Sequence, residues 1–314
     1  MKNRLFFLVA LLVIVVYPFL TKSNYLLHLG IMTGIWIILS TSLNLVLGYT
    51  GQTPLGHTAF FGIGAFTAGI ISVRYNAPLY VTLPMGVIGS ALASYFLGRV
   101  TLQLRGAYFV LSSLAFAEVL KLVAINWESL TGGPSGLTGI APINIPSLDN
   151  LLRPMQTSYF LIWALVGLVL LIVYRLINSS IGRSLIAISE NEKLAGSIGI
   201  HVYRFTLGAL LLSAGIAGLG GAYYAHYISF ISPDLFYLTY TVTMLVMVIS
   251  GGRRTFVGPI VGAVVFTILP ELLRSAESYR MAIYGIIIIL TITYFPEGFF
   301  PFLRTKLKSV ARSQ

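Results

Sequence analysis

Residues 181–200 read IGRSLIAISENEKLAGSIGI and interrupt a chain that otherwise consists almost entirely of long apolar runs. Ser189, followed three residues later by Glu192, has the spacing of a capping box, which predicts that a helix begins there. Gly199 stands where the end of a helix requires a residue that tolerates positive φ. The segment therefore predicts a short helix outside the membrane, between two spans.

The predicted helix is amphipathic. Leu194, Ala195 and Ile198 form a narrow apolar stripe, and polar residues lie beside it: Glu190, Asn191, Glu192 and Lys193. An amphipathic helix in this position is more often a docking element for another protein than a catalytic one. A solvated loop that only joins two spans is the alternative.

The composition indicates an integral membrane protein. Of the 314 residues, 57% are hydrophobic and 9% are charged, whereas a soluble domain carries about 25% charged residues. The chain contains no cysteine, which excludes a disulfide framework, a thiolate metal site and a cysteine nucleophile. The net charge of +11 fits the Lys and Arg excess of cytoplasmic loops. Because no basic stretch alternates with aromatic residues, nucleic-acid binding is not expected.

Long apolar runs predict an all-α polytopic fold with about ten transmembrane helices. The predicted spans are residues 5–21, 30–47, 56–72, 79–98, 106–126, 157–176, 204–227, 237–251, 258–272 and 282–296. The first run follows Lys2 and Arg4 as in a signal peptide, but it lacks a small-x-small cleavage site and is interpreted as an uncleaved span. With these ten spans, most Lys and Arg residues fall on one side of the membrane. Because such residues accumulate in cytoplasmic loops, both termini and residues 181–200 are predicted to be cytoplasmic.

These spans are predicted to form a single transmembrane domain over residues 1–314. Its parts are a first span with an external turn (1–29), a first helix group (30–127), an external loop (128–156), the cytoplasmic segment (181–201), a second helix group (202–300) and a basic cytoplasmic tail (301–314). The external loop is rich in turn residues and too long for a bare linker, so we expect it to fold over the outer mouth of the bundle.

Two glycine-rich interruptions occur towards the two ends of the chain. Residues 48–69 read GYTGQTPLGHTAFFGIGAFTAG, in which Gly51, Pro54 and Gly56 break the helical pattern. A weaker echo follows the predicted span 237–251, with glycines at positions 251, 252, 258 and 262. Interrupted segments at matching positions of two halves point to a transport pathway. The sequence leaves open whether the match is an internal duplication or a coincidence.

Several polar residues are candidates for the lining of such a pathway: Asn44, Gln52, His57, Thr58 and Glu118. The first four either face the pathway or satisfy backbone groups near Pro54, and both interpretations stay open. Glu118 lies three residues before Lys121 on one helix face, so the two charges can neutralise each other. The pair is either a proton or ion relay or, as we favour, a structural pair near the external end.

The predicted span 204–227 carries small residues at every fourth position, in the rows Ser213, Ala217, Gly221 and Ala214, Gly218, Ala222. In lipid such rows allow two helix backbones to approach closely. We therefore expect this span to be an inner helix, either of the bundle or of a dimer seam, that packs through Ser213, Ala217, Gly218 and Gly221.

The sequence offers no site for catalysis. The four histidines are not spaced three or four residues from each other or from a carboxylate, so no metal site is expected. G-x-S-x-G and H-E-x-x-H motifs do not occur, and the glycines at 132–136 are not followed by the Gly-Lys-Ser/Thr of a phosphate loop. We expect neither a cofactor nor ATP hydrolysis in this chain.

Several stretches together resemble the membrane permease subunits of branched-chain amino acid ABC importers, and the M-type chain in particular. They are residues 48–69, LRGAYFVLSSLAFAEVLKL at 104–122, NWESLTGGPSGLTGI at 126–140, ENEKLAGSIGI at 190–200 and LSAGIAGLGGAYYAHYISFISP at 212–233. The resemblance extends over about residues 30 to 300, with several motifs at the family's spacing.

The resemblance implies a non-catalytic transport subunit of the bacterial inner membrane. In that family the segment equivalent to residues 192–200 is the coupling element that sits in a groove of an ATPase subunit. The matching positions are Glu192, Ala195, Gly199 and Ile200, with Ser189, Glu190 and Lys193 beside them. The implied partners are a second, homologous permease chain, two ATPase chains, a periplasmic substrate-binding protein and membrane lipid.

Two positions depart from the family pattern. Pro54 stands where a small polar residue is common, and Arg253-Arg254-Thr255 replaces a run of Gly and small residues. The implied substrates are aliphatic amino acids, with urea and short-chain amides as the alternative. An ion-coupled secondary transporter is less favoured, because Glu118 alone among the carboxylates is predicted at depth. A membrane enzyme or receptor would need a catalytic cluster or a cofactor.

Overall fold

The structure, a computed structural model, describes residues 12, 14–21, 23–104, 106–145, 152–273, 279–294, 298 and 299. It is mostly helical, since a helix satisfies its own backbone groups within lipid. The helices are α1 (Asn24–Leu47), α2 (Thr58–Tyr75), α3 (Leu79–Thr101), α4 (Ala107–Asn126), α5 (Glu128–Thr131), α6 (Pro154–Ile177), α7 (Ser180–Glu190), α8 (Glu192–Ser197), α9 (Val202–Ile228), α10 (Leu238–Gly251), α11 (Gly258–Leu272) and α12 (Arg280–Tyr294). Residues 14–20 are also helical.

Six of the described helices are long and apolar enough to cross a membrane: α1, α2, α3, α4, α6 and α9. Two shorter apolar helices, α10 and α11, follow them. All eight coincide with predicted spans. Of the predicted span 5–21, the structure describes residue 12 and residues 14–21. The predicted span 282–296 corresponds to α12, which is described up to Tyr294. The chain is therefore a mostly helical, polytopic membrane protein.

Helix α9 is central and packs against α1, α2 and α3. Glycine permits this contact, because a Cβ on Gly64 of α2 would overlap the backbone of Gly218, and a Cβ on Gly221 would overlap the carbonyl oxygen of Phe61. The residues expected to pack are all buried: Ser213, Ala217, Gly218 and Gly221. The structure thus places this row against other helices of the same chain.

The chain that follows α9 returns into the bundle as a segment without α-helix, residues 229–237. Its strand β2 (Phe230–Ile231) pairs antiparallel with β1 (Leu137–Thr138) from the loop between α4 and α6. A 3-10 turn comes next, in which Phe236 stacks on Phe66 of α2 with 5.7 Å between ring centroids. Backbone of this kind is tolerated at membrane depth only where protein buries it or water reaches it.

The loop between α4 and α6 folds back onto one end of the bundle. Ile140 and Ile143 are buried, and Thr131 Oγ1 donates to the carbonyl of Ala124 at 2.6 Å. Gly132 adopts a φ of 78°, which allows the chain to turn directly after α5. Residues 146–151 of this loop lie outside the described part of the chain.

Candidate coupling site and pathway residues

The segment that the sequence singled out contains two helices instead of one. α7 continues through Ser189, and α8 begins after one extended residue, Asn191. The predicted capping box of Ser189 and Glu192 is therefore wrong, because Ser189 lies inside α7 and its Oγ donates to the carbonyl of Ile186. The N-cap of α8 is Asn191, whose Oδ1 accepts from the N–H of Leu194 at 3.0 Å.

Burial explains why α7 extends past the predicted break. Gly182, Leu185 and Ile188 are buried and recur every three residues, so they lie along one face of the helix. A Cβ on Gly182 would overlap the backbone at the end of α6, which shows how closely the two helices meet. Packing of this face holds α7 helical up to Glu190, and the local Ser-x-x-Glu pattern does not override it.

The end of α8 is closed as the sequence predicted. Gly199 has a φ of 90°, and its N–H donates to the carbonyl of Gly196 at 3.1 Å. The N–H of Ile200 donates to the carbonyl of Ala195, also at 3.1 Å. A bond of this span satisfies the last carbonyls of a helix and requires left-handed backbone at the glycine.

Helix α8 presents apolar side chains to the outside. Ala195 is 2% exposed and anchors the helix to the bundle, whereas Leu194 and Ile198 are 61% and 69% exposed. A Cβ built on Gly196 or Gly199 meets no atom within 4 Å, so this side of α8 is open. Exposed apolar residues grouped on one short helix are typical of a protein-docking surface.

Arg254 connects this helix pair to the rest of the bundle. It lies in the turn between α10 and α11 at a φ of 62°, an uncommon conformation for a residue other than glycine. Its guanidinium forms an ion pair with Glu190 and donates through Nη2 to Ser189 Oγ at 2.9 Å. Nε donates to the carbonyl of Gly48 at 3.4 Å, at the end of α1. One side chain therefore joins α7, α1 and the α10–α11 turn.

The two glycine-rich turns lie against each other. Asn44 Nδ2 donates to the carbonyl of Thr255 at 3.0 Å, and Asn44 Oδ1 accepts from the N–H of Arg254 at 3.2 Å. A Cβ on Gly48 would overlap both Asn44 and Arg254. Burial raises the pKa of the neighbouring Tyr49 hydroxyl well above its usual range, so this phenol is neutral. The amide of Asn44 is thus engaged in holding the α10–α11 turn.

His57 and Thr58 are fully buried at the start of α2. His57 Nε2 lies 2.9 Å from Ser42 Oγ, while Nδ1 has no hydrogen-bond partner among the described residues. The N–H of Thr58 donates to Thr241 Oγ1 at 3.1 Å, and Thr58 Oγ1 donates to the carbonyl of Leu235 at 2.6 Å. Thr58 therefore fixes the start of α2 to the non-helical segment that precedes α10.

Gln52 lies on the wall of a cavity of about 330 Å³ between the α1–α2 turn, the start of α4 and the coupling helices. Its Oε1 is buried and has no hydrogen-bond partner in the described part of the chain. The cavity is also lined by Thr50, Thr53, Phe109, Ser189, Glu192 and Val202. Unlike Asn44 and Thr58, Gln52 keeps an acceptor free for water or a solute.

Glu118 and Lys121 form the ion pair that their spacing permits on α4. Lys121 Nζ also lies 5.1 Å from the centroid of the Tyr237 ring, within the range of a cation–π contact. Within the residues that the structure describes, no three His, Cys, Asp or Glu side chains come together as a metal site. The contacts of Arg254 are not predictable from the sequence pattern, in which their only signal is a pair of adjacent arginines in a glycine-rich turn.

Comparison with known proteins identifies the family. The sequence matches the branched-chain amino acid transport system / permease component family over residues 25–292. It is 30% identical to the high-affinity branched-chain amino acid transport system permease protein LivM of Salmonella typhimurium, over 98% of this chain and 77% of the relative. LivM of Escherichia coli is 29% identical with the same coverage. LivH of Salmonella typhimurium is 22% identical over 84% of this chain and 90% of the relative.

No solved structure matches the chain. The family match nevertheless extends over most of the sequence, and it includes both glycine-rich turns, α7, α8 and the central helix α9. The chain therefore belongs to the family of permease components of branched-chain amino acid transport systems.

Proposed function

We propose that this chain is the permease subunit of an ATP-driven ABC importer that moves branched-chain, aliphatic amino acids across the bacterial inner membrane. The observation that carries the proposal is the family match over residues 25–292, together with relatives named for this transport system. The chain is a non-catalytic subunit, and ATP is hydrolysed on partner chains.

The coupling site lies on α8 and its flanks. Leu194 and Ile198 supply the apolar contact with a groove of the ATPase, while Ala195 holds the helix against the bundle. The positive φ of Gly199 ends the helix where the chain must turn back towards α9. The full set of coupling residues is Ser189, Glu190, Glu192, Lys193, Ala195, Gly199 and Ile200.

The contacts of Arg254 support a route by which movement of α7 and α8 reaches the helices that span the membrane. Because its side chain binds both Ser189 and Glu190, movement of α7 and α8 pulls on the α10–α11 turn and on the end of α1. Those elements are packed on each other and move largely as a rigid unit. ATP binding on the partner chains then changes the side towards which the bundle opens.

The partners of this chain are a second permease chain, two ATPase chains, a periplasmic substrate-binding protein and membrane lipid. Its similarity to both LivM and LivH supports a pair of related permease chains. The large exposed apolar side chains on α3 and α6 support contact with lipid or with that second chain.

The topology that fits best is ten spans with both termini in the cytoplasm. α1, α3, α6 and α10 all end on the side that carries α7 and α8, and that side holds most Lys and Arg residues. Aliphatic side chains offer little for hydrogen bonding, so selectivity among substrates resides in the external binding protein. Gln52 and Glu118 line the pathway, while Asn44, His57 and Thr58 hold its broken helices in place.

The test is to reconstitute the complete importer and measure which loaded binding protein stimulates ATP hydrolysis. A leucine-loaded binding protein is expected to stimulate it, and urea- or sugar-loaded proteins are not. Stimulation by the urea-loaded protein would assign the chain to urea and amide import instead. Uptake by this chain alone, driven by an ion gradient, would overturn the importer assignment.

A further inference from the structure

The span α4 carries a pair of charges well inside the membrane. Among the six described helices that can cross a membrane, Glu118 and Lys121 are the only acidic or basic residues more than four positions from a helix end. At a rise of about 1.5 Å per residue, Glu118 lies about 16 Å from the start of α4 at Ala107 and about 12 Å from its end at Asn126. The pair is therefore not at the end of the span.

Glu118 lies on the outward side of α4, whereas the side chain of its partner Lys121 is only 18% exposed. Glu118 shares a stripe with Leu111, Ala115 and Leu122, and its side chain is 43% exposed. A charge held in hydrocarbon at the centre of a span costs about 2.5–3.5 kcal/mol. The outward faces of α3 and α6 carry apolar residues near mid-span, including Ile88 and Leu168. The stripe on α4 is thus unsuited to lipid.

A second polar element adjoins this stripe. Lys121 Nζ lies over the ring of Tyr237, the last residue of the non-helical segment 229–237. Asp234 of the same segment is exposed, and its Oδ2 accepts from Ser232 Oγ at 3.0 Å. Non-helical backbone with an exposed carboxylate is excluded from lipid for the same reason as the charge on α4. We refer to Glu118, Lys121, Asp234 and Tyr237 together as the α4 polar face.

We propose that the α4 polar face lines the translocation pathway and that the Glu118–Lys121 pair binds the zwitterionic head group of the amino acid as it passes. This inference rests on the proposed function. The substrate ammonium binds the carboxylate of Glu118, and the substrate carboxylate binds the ammonium of Lys121. Before and after passage the two side chains pair with each other, so every charge keeps a partner in a low-dielectric site.

This arrangement allows the pathway to conduct a doubly charged solute without selecting its side chain. All α-amino acids share the head group, whereas urea carries neither charge. The pair therefore distinguishes α-amino acids from uncharged solutes but does not distinguish one amino acid from another. This agrees with selection among amino acids by an external binding protein.

Accessibility to water tests the placement of the face. The chain contains no cysteine, so Ala115→Cys or Leu122→Cys introduces a single thiol into the stripe on α4 beside Glu118. In the assembled importer, a membrane-impermeant charged methanethiosulfonate reagent is expected to modify these thiols at least about tenfold faster than those of Ile88→Cys and Leu168→Cys, because a charged reagent avoids lipid. Equal, slow modification at all four positions would show that the α4 face is dry and would overturn the proposal.

The double variant Glu118→Gln/Lys121→Gln tests the role of the charges, since it leaves neither charge uncompensated. We expect leucine uptake to fall by about tenfold or more, equivalent to about 1.4 kcal/mol. Uptake at the wild-type rate would contradict the proposal. If hydrolysis by the wild-type importer were not stimulated, the proposed function would fail instead, so the two failures are distinguishable.

Discussion

Replacement of Arg254 by Ala removes the side chain that connects α7 with α1 and the α10–α11 turn. In the ion pair with Glu190, the side chains of Arg254 and Glu190 are 40% and 65% exposed, so the pair contributes about 0–1 kcal/mol to stability. The hydrogen bonds to Ser189 and to the Gly48 carbonyl contribute about 0.5–1.5 kcal/mol each. With solvent screening the loss is about 1–2 kcal/mol, which corresponds to about a 5- to 30-fold change in the equilibrium between coupled and uncoupled arrangements.

The assay is the number of leucine molecules taken up per ATP hydrolysed by the reconstituted importer. Arg254→Ala is expected to retain ATP hydrolysis and to lower this ratio by about 5- to 30-fold. Arg253→Ala is the matched control, because it removes the same charge from the same turn and its exposed side chain has no polar partner among the described residues. If both variants keep the wild-type ratio, or lose it equally, Arg254 does not carry the coupling.

Three further predictions concern single residues. Gly199→Val places a β-branched residue at a φ of 90°, so this variant should insert into the membrane but no longer bind the ATPase chains. A pull-down of the complex measures this binding, and the control Gly196→Ala should bind the ATPase chains normally. Asn191→Ala removes the cap of α8 and should weaken ATPase binding by about 1 kcal/mol, and Asn191→Ser should restore most of it in the same titration. Gly221→Ala forces a Cβ into the backbone of α2 and should destabilise the purified protein by about 1–3 kcal/mol, while thermal unfolding of Gly208→Ala, with open space around it, should match the wild type.

The long helices were predictable because an apolar run of that length has few alternatives in lipid. α4 and α11 were expected at 106–126 and 258–272, and the structure gives Ala107–Asn126 and Gly258–Leu272. The packing residues of α9 were also predictable, because small residues three or four positions apart, such as Gly218 and Gly221, lie on the same side of a helix.

The coupling segment was only half predictable. Gly199 was identified because positive φ is a local property of one residue. The start of α8 was misplaced, because Ser189 and Glu192 match a capping box by sequence alone, and the burial of Leu185 and Ile188 that extends α7 depends on the rest of the bundle. Arg254 meets Glu190 across 64 positions of sequence, and no local pattern encodes such a contact.

The placement of residues 229–237 was also beyond the sequence. The apolar runs predict spans at 204–227 and 237–251 and assign no structure to the residues between them. In the structure residues 229–237 enter the bundle, because Phe236 stacks on Phe66 and the carbonyl of Leu235 accepts a hydrogen bond from Thr58. These partners lie far apart in the chain, so the polar surface beside Glu118 became visible only in three dimensions.

The proposed mechanism requires that α8 carry the docking surface for the ATPase chains. A photo-reactive amino acid at Ile198, which is 69% exposed, tests it directly in the assembled, transport-active importer. We predict a covalent product between this chain and an ATPase subunit, whereas the same amino acid at Leu168 on α6 should give none. An active importer in which position 198 gives no product with the ATPase would contradict the account.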